Sequence, residues 1–125
     1  MNEKNQLQLV SFEQAKRLKE LRFDLKTSNF YDSTGYLNDY DGRLPAPTVA
    51  LALKWIRDVE KLVGEVHFEL DGFRKGYNWF YFSFENKDLM KASPKSCSSY
   101  EKAESMLLDE LLNVLEQSKS QNHQL

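Results

Sequence analysis

The chain has 125 residues, 41% of them hydrophobic and 13% aromatic, and this much apolar surface is typical of one folded domain rather than of a disordered chain. Seventeen basic and nineteen acidic residues give a net charge of −2. This balance argues against a broad basic surface of the kind that binds nucleic acid or an anionic membrane. One cysteine, Cys97, excludes an internal disulfide, and no apolar run is long enough to span a bilayer, so we expect a cytoplasmic protein.

The first predicted element is a short helix that follows a flexible lead-in over residues 1–9. Ser11 and Gln14 have the spacing of a capping box, in which each side chain accepts a hydrogen bond from a backbone amide of the first turn. Apolar side chains then recur at helical spacing, at Phe12, Ala15, Leu18 and Leu21. The sequence therefore predicts an amphipathic helix that begins at Ser11.

A small hairpin and a second helix come next. Residues 29–37 are two aromatic arms around an Asp-Ser-Thr-Gly turn, and residues 38–47 read as a loop. Pro47 or Thr48 begins the second helix, because proline is tolerated in the first turn of a helix. The buried stripe of this helix is predicted to be Val49, Ala52, Leu53, Ile56 and Val59.

A larger hairpin is predicted from strands at residues 63–70 and 77–85. One face of its first strand carries Val66, Phe68 and Leu70, and the other carries Glu65, His67 and Glu69. In the second strand the purer hydrophobic set is Phe80, Phe82 and Phe84, which we expect in the core. Tyr77, Trp79 and Tyr81 would then lie on the outer face with His67, although a one-residue bulge would reverse the two faces.

The last helix follows a polar connection over residues 86–97. Ser98 with Glu101 forms a second capping box, and Ser99 competes with Ser98 as the cap. The helix is so apolar that it is either central to the domain or buried against a partner. Should they remain exposed, three leucines would support a homodimer through this helix, namely Leu108, Leu112 and Leu115.

The predicted elements combine into an α+β fold, with three helices packed on antiparallel β-hairpins in the order α-ββ-α-ββ-α. We expect a single α+β domain over residues 10–117. Residues 118–125 are predicted to form a disordered polar tail.

Three candidate sites each have a plainer interpretation. The Glu65-His67-Glu69 triplet offers metal-ligand types on one strand face, but a solvated strand face explains it better, so we expect no metal and no cofactor. Cys97 is a candidate nucleophile with His67 as its base, but an isolated cysteine in a serine-rich loop is nearly always inert. The remaining candidate is an outer aromatic row that would bind a partner: Tyr77, Trp79, Tyr81 and His67.

Three sequence blocks resemble a family of small uncharacterised proteins from Bacteroidetes, their prophages and phages. The blocks are Ser11-Phe12-Glu13-Gln14-Ala15-Lys16, Ala46-Pro47-Thr48 with Lys54-Trp55-x-Arg57-Asp58, and Tyr100-Glu101-x-Ala103-Glu104. The chain departs from the family at Arg22, where a glycine is usual after the first helix. The resemblance implies an accessory protein of a phage or mobile element in a bacterial cytoplasm, and it brings no catalytic residues with it.

The sequence thus favours a non-enzymatic protein-interaction module that binds a host or phage protein. The alternative is a small-molecule binder of the nucleotide type, in which aromatic rings stack on a base and Arg57, Arg74 or Lys75 lies near a phosphate. No glycine-rich phosphate-binding loop supports this alternative, which therefore ranks second.

Overall fold

The computed structural model describes residues 7–40, 42–70 and 75–123, with side chains as far as Lys119. Over these residues the order is helix, three short strands, helix, three strands and helix, which confirms the predicted α+β class and, roughly, the order of its elements. The chain divides into two compact units, Met1–Trp55 and Ile56–Leu125. The single domain expected over residues 10–117 stays a prediction. None of the described helices is long and apolar enough to cross a membrane.

Helix α1 of the first unit spans Phe12–Glu20 and begins at the predicted capping box. The Gln14 amide donates to Ser11 Oγ over 3.1 Å, and the Ser11 amide donates to Gln14 Oε1 over 3.0 Å. Ala15 and Leu18 are buried on the inner side of this helix. The local capping chemistry and the apolar spacing therefore agree on where α1 starts and which side it buries.

The end of α1 places Arg22 in the left-handed backbone region, with φ of 70°. The Phe23 amide donates to the Leu18 carbonyl oxygen over 3.0 Å, and the Arg22 amide donates to the Lys19 carbonyl oxygen over 2.9 Å. These two bonds form a Schellman motif, whose left-handed position normally holds glycine because a side chain there is strained. Arg22 is the position at which the resembled family carries glycine.

Replacing Arg22 with glycine should therefore stabilise the protein. We expect Arg22→Gly to raise the free energy of unfolding by about 1 kcal/mol, the typical cost of a side chain in this conformation. Arg22→Ala is the matched control, because it removes the same charge but keeps Cβ, and it should bring no comparable gain. Urea unfolding of the wild type and the two variants measures the free energies of unfolding. Equal stability of the glycine and alanine variants would show that the side chain at residue 22 is not strained.

The first unit contains a three-stranded antiparallel sheet in the order β2-β1-β3. Strand β1 is Phe30–Tyr31, β2 is Leu37–Asn38 and β3 is Leu44–Pro45. β1 and β2 are the predicted small hairpin, whereas β3 lies within the segment expected to be a loop. A strand of two residues is too short for its alternation to be recognised in the sequence.

Asp32 organises the turn of the small hairpin. Its Oδ1 accepts hydrogen bonds from the Thr34 hydroxyl at 2.7 Å, the Thr34 amide at 2.8 Å and the Tyr36 amide at 3.0 Å. The hydroxyl bond and then the amide bonds hold the pKa of Asp32 below its ordinary value. The ionised carboxylate therefore stabilises this turn.

The contribution of Asp32 should depend on pH in a defined direction. Because its pKa is lowered in the folded state, the stabilisation is complete above the ordinary aspartate pKa and is lost as the pH falls through the folded value. We expect Asp32→Asn to be less stable than the wild type at pH 7 and the difference to shrink in acid. Urea unfolding from pH 7 to pH 2 measures it, with Asp39→Asn, an exposed neighbour, as the control. A difference that does not vary with pH would refute this role.

Helix α2 spans Val49–Trp55. Thr48 Oγ1 accepts a hydrogen bond from the Leu51 amide over 3.0 Å, so Thr48 rather than Pro47 caps the helix. Trp55 is buried, and its Nε1 donates to Asp24 Oδ1 over 3.0 Å. This bond satisfies the one polar atom of a large buried ring.

The second unit begins with a π-helical segment, Ile56–Glu60. Val59, which was expected in the buried stripe of the second helix, is 55% exposed. The expectation is wrong because the stripe assumed i→i+4 bonding throughout, whereas a π-helical turn bonds i→i+5 and rotates the following side chains away from the stripe. Ile56, at the start of the segment, is buried as predicted.

The sheet of the second unit has the order β4-β5-β6 and is antiparallel. Strand β4 is Leu62–Glu69, β5 is Gly76–Ser83 and β6 is Met90–Ala92. β4 and β5 form the predicted larger hairpin; most of its turn, residues 71–74, lies outside the described part of the chain. β6 falls in the segment expected to be a polar connection, and its three residues are all exposed.

Helix α3 spans Tyr100–His123 and covers one face of this sheet. The Lys102 amide donates to Ser99 Oγ over 3.1 Å, so Ser99 rather than Ser98 is the cap. Residues 118–123 are helical, although a disordered tail was expected from residue 118. The three leucines proposed for a homodimer are buried, so the exposure which that proposal required is not met: Leu108, Leu112 and Leu115.

Candidate functional site

The aromatic residues of β5 lie on the faces opposite to those expected. Trp79 and Tyr81 are only 2% and 6% exposed, and their rings stack with centroids 6.3 Å apart on the side covered by α3. The expectation that these two side chains form an outer binding row is therefore wrong. Tyr77 is half-buried, with its ring 4.8 Å from that of Phe68, and of the four candidates His67 alone is exposed on the outer face.

Gly64 explains why α3 lies against this face. A Cβ atom at Gly64 would come within 3.0 Å of the Leu107 and Leu111 side chains, so the missing side chain lets the helix approach the strand. Gly64 is opposite Tyr81 in the sheet, and the next pair on that face is Val66 with Trp79. The large rings of β5 therefore fill the space beside the helix, where the purely hydrophobic set was expected.

Phenylalanines lie on the other side of the sheet: Phe80 and Phe82 of β5 are half-buried, and Phe84, just after β5, is exposed. We define the outer aromatic face as Val63, Phe80, Phe82 and Met90, which the strand register places on one side, together with Phe84, which packs against Phe82. The rings of Phe80 and Phe82 stack with centroids 6.4 Å apart, and Phe84 packs edge-on against Phe82 at 5.7 Å. Phe84 is 68% exposed and Met90 is 69% exposed.

Polar side chains border the outer aromatic face along β4. His67 Nε2 lies 3.1 Å from Glu69 Oε1, and the His67 ring lies edge-on to Phe80 at 5.7 Å. Asn78 Nδ2 donates to the same Glu69 oxygen over 2.9 Å. Glu65, opposite Phe80, adds another carboxylate, so this border is acidic apart from His67.

A buried polar network holds Asn78 in place. Its Oδ1 accepts hydrogen bonds from Ser96 Oγ at 2.9 Å and Ser93 Oγ at 3.4 Å. Ser93 Oγ also accepts from the Trp79 amide over 3.2 Å. Because a buried amide is costly unless it is hydrogen-bonded, this network opposes any shift of β5 by one residue, which would place Asn78 among the side chains under α3.

The sequence analysis missed the outer aromatic face, and one signal could have revealed it. Phe80 has the same parity along β5 as Asn78, and Asn78 pairs with His67 across the hairpin. The side of the hairpin that carries Phe80 therefore also carries Asn78 and His67, and it is less apolar than the residues of β5 alone indicate. Counting across both strands would have favoured this set as the outer one.

Cys97 and His67 do not form a nucleophile and base. Cys97 is buried, with its Sγ 3.6 Å from Met106 Sδ of α3, so it lies on the helix-covered side of the sheet. His67 lies on the opposite side. The backbone of Cys97 pairs with Tyr77, which leaves it two strand spacings, or about 10 Å, from β4.

Within the described ranges, the structure contains no group of three His, Cys, Asp or Glu side chains that could hold a metal ion. In the Glu65-His67-Glu69 triplet, Glu69 already accepts the bond from Asn78. The arrangement is that of a hydrogen-bonded strand surface.

A shallow cleft of ≈ 340 Å³ lies beside the buried tryptophan. Its lining residues are Trp79, Lys91, Pro94, Met106, Asp109 and Glu110. Lys91 Nζ donates to Glu110 Oε1 over 2.6 Å, and this bond raises the pKa of Lys91. Burial, followed by the Glu110 charge, raises the pKa of Tyr81. Trp79 Nε1 is buried with no hydrogen-bond partner among the described residues.

No protein-family model, curated protein or solved structure matches the chain. The family resemblance stated from the sequence therefore stays a prediction.

Truncating Trp79 should unfold the protein far more readily than truncating Phe84. Trp79→Ala removes a fully buried ring and should lower the free energy of unfolding by about 3–5 kcal/mol. Phe84→Ala is the matched control from the same segment, and an exposed ring should cost about 0.5 kcal/mol or less. Urea unfolding followed by circular dichroism gives both values. The reverse ranking would show that the two faces are assigned the wrong way round.

Proposed function

We propose that the chain is a non-enzymatic protein-interaction module whose contact surface is the outer aromatic face. The observation that carries this proposal is the exposure of Phe84 and Met90 beside the stacked rings of Phe80 and Phe82. Large contiguous apolar patches are uncommon on monomers and mark interaction sites. Rigid aromatic rings also supply contact area at a low cost in side-chain entropy.

The chemistry of the surface defines its partner. The centre is apolar, and Glu65 and Glu69 place negative charge along the β4 border. Charge complementarity favours a partner with an apolar anchor and a basic rim. The partner is therefore a protein of the host or the phage with these features, and neither nucleic acid nor a membrane fits the acidic border.

The separation of Cys97 from His67 supports a non-enzymatic role. The sequence offered these residues as a candidate nucleophile and its base, and they lie on opposite sides of the sheet. The resemblance of the sequence blocks supports a bacterial cytoplasmic setting and an accessory role in a phage or mobile element. Binding rather than chemistry is the activity that these observations favour.

Binding of a small molecule of the nucleotide type ranks second. The cleft beside Trp79 and its unpartnered Nε1 favour it. The stacking rings that it requires, Trp79 and Tyr81, are buried against α3 and are not free to hold a base. Of the proposed phosphate contacts, Arg57 pairs with Asp58 at 3.3 Å and Arg74 lies outside the described residues.

Substitution of Phe84 tests the interaction surface. The tagged protein is purified gently from a bacterial host and native mass spectrometry identifies its bound protein; the affinity of that protein is then measured by calorimetry. We expect Phe84→Asp to weaken binding at least thirtyfold, the effect of losing a hot spot of about 2 kcal/mol. Tyr40→Asp is the matched control, because Tyr40 is an exposed ring of the first unit, at 84%.

The possible outcomes separate the two functions. Full affinity of Phe84→Asp, or an equal loss in Tyr40→Asp, would contradict the outer aromatic face as the contact surface. A bound ultraviolet-absorbing small molecule with no protein partner would instead support the second function.

A further inference from the structure

Strand β4 is an open edge of the second sheet. Within the described ranges it pairs with β5 alone, and it is eight residues long, whereas the opposite edge strand, β6, has three residues. Proteins usually protect an edge with charged side chains, lysine above all, with proline, with a bulge or with a very short strand. The β4 sequence, Leu-Val-Gly-Glu-Val-His-Phe-Glu, contains no proline or lysine and pairs with β5 without a bulge, so its charged residues are Glu65 and Glu69.

The backbone groups along this edge are arranged to accept another strand. Tyr77 exchanges both of its backbone hydrogen bonds with Cys97, and the Trp79 carbonyl accepts from Ser93, so both residues turn their backbone away from β4. In an antiparallel ladder the residues opposite them, Phe68 and Val66, therefore turn their own N–H and C=O groups to the open side. Because the orientation of the backbone groups repeats every two residues, the N–H and C=O groups of Gly64 and Leu62 also point to the open side.

A second copy of the chain matches this edge in one antiparallel register. Residues opposite each other in an antiparallel pair lie on the same side of the sheet, so a two-fold axis normal to the sheet must pass beside a residue and not between two. With the axis at Val66, residues 63–69 of both copies pair. Each Glu65 then lies opposite the partner's His67, in the close, non-hydrogen-bonded type of pair.

The neighbouring registers are less favourable. An axis at Glu65 places two like carboxylates opposite each other, and an axis at His67 places Glu65 against the partner's Glu69. Axes further along leave five or fewer residues of β4 paired in each copy. The register at Val66 also sets each half-exposed Phe68 against the partner's Gly64, a pairing in which no second β-carbon crowds the ring.

We propose that two copies of this chain associate through β4, antiparallel and with the two-fold axis at Val66, and so form a continuous six-stranded sheet. Both α3 helices then lie on one side and both outer aromatic faces on the other. The contact uses the backbone edge of β4, although β4 also supplies Val63 of the outer aromatic face and its acidic border. The proposal does not rest on the proposed function, and each can fail without the other.

Charge reversal tests the register. In Glu65→Lys a lysine opposes the partner's His67, and in His67→Glu two like carboxylates oppose each other, so each variant alone should dimerise at least about tenfold more weakly than the wild type. A mixture of the two variants places the new lysine opposite the new glutamate and restores one Glu65–His67 pair, so it should form a heterodimer. Analytical ultracentrifugation measures the dimer, and native mass spectrometry distinguishes the heterodimer by mass.

Matched controls carry charge changes of the same sign away from the edge. Asp39→Lys and Lys87→Glu alter exposed residues of described loops and should dimerise as the wild type does. Circular dichroism reports whether each variant is folded. Hydrogen exchange on the wild type gives an independent readout that needs no variant, because the Val66 and Phe68 amides should become protected as the protein concentration rises.

Three results would overturn the proposal. The first is a wild type that stays monomeric up to millimolar concentration. The second is a dimer that both variants leave unchanged, or variants whose mixture does not associate. The third is a β4 edge whose amides become protected only when a different protein is bound, which would assign the edge to a foreign strand.

Discussion

The close approach of α3 to β4 at Gly64 is the constraint on which the second unit depends. Because Gly64 has no side chain, Leu107 and Leu111 pack directly against the strand. This contact decides which side of the sheet is covered, and the strand pairing then places Trp79 and Tyr81 under the helix. The phenylalanines of β5 are left on the outside as a consequence, so the proposed binding surface follows from one glycine.

The hydrogen bonds of Asn78 also fix which face of β5 lies under α3. Asn78 joins β4, through Glu69, to Ser93 and Ser96 of the segment before α3. A shift of β5 by one residue would break these bonds and would also place a buried amide under the helix. Steric fit at Gly64 and hydrogen bonding at Asn78 therefore both oppose a sheet in which the two faces of β5 are exchanged.

The sequence predicted local features well where one short segment determines them. The capping box of Ser11 and Gln14, the α+β class and the larger hairpin follow from the spacing of neighbouring residues. Such features depend on hydrogen bonds between residues that are close together in the chain, so a short stretch of sequence contains all the residues that determine them. The left-handed backbone at Arg22 was not predicted, since arginine in place of a glycine indicated a different end of the helix.

Features that depend on contacts between distant segments could not be predicted in the same way. The choice between the two faces of β5 depends on α3, which begins 17 residues after β5 ends. The hydrophobic purity of Phe80, Phe82 and Phe84 pointed to the wrong face because aromatic residues with a polar atom fill a core equally well. The π-helical turn at Val59 and the short strand β3 likewise leave no periodic signal.

The two faces of β5 are therefore the central claim, and hydroxyl-radical footprinting read out by mass spectrometry tests it most directly. We expect rapid oxidation of Phe84 and Met90, together with protection of Trp79 and Tyr81 until the protein is unfolded. Rapid oxidation of Trp79 and Tyr81 in the folded protein, with Phe84 protected, would show that the two faces are reversed.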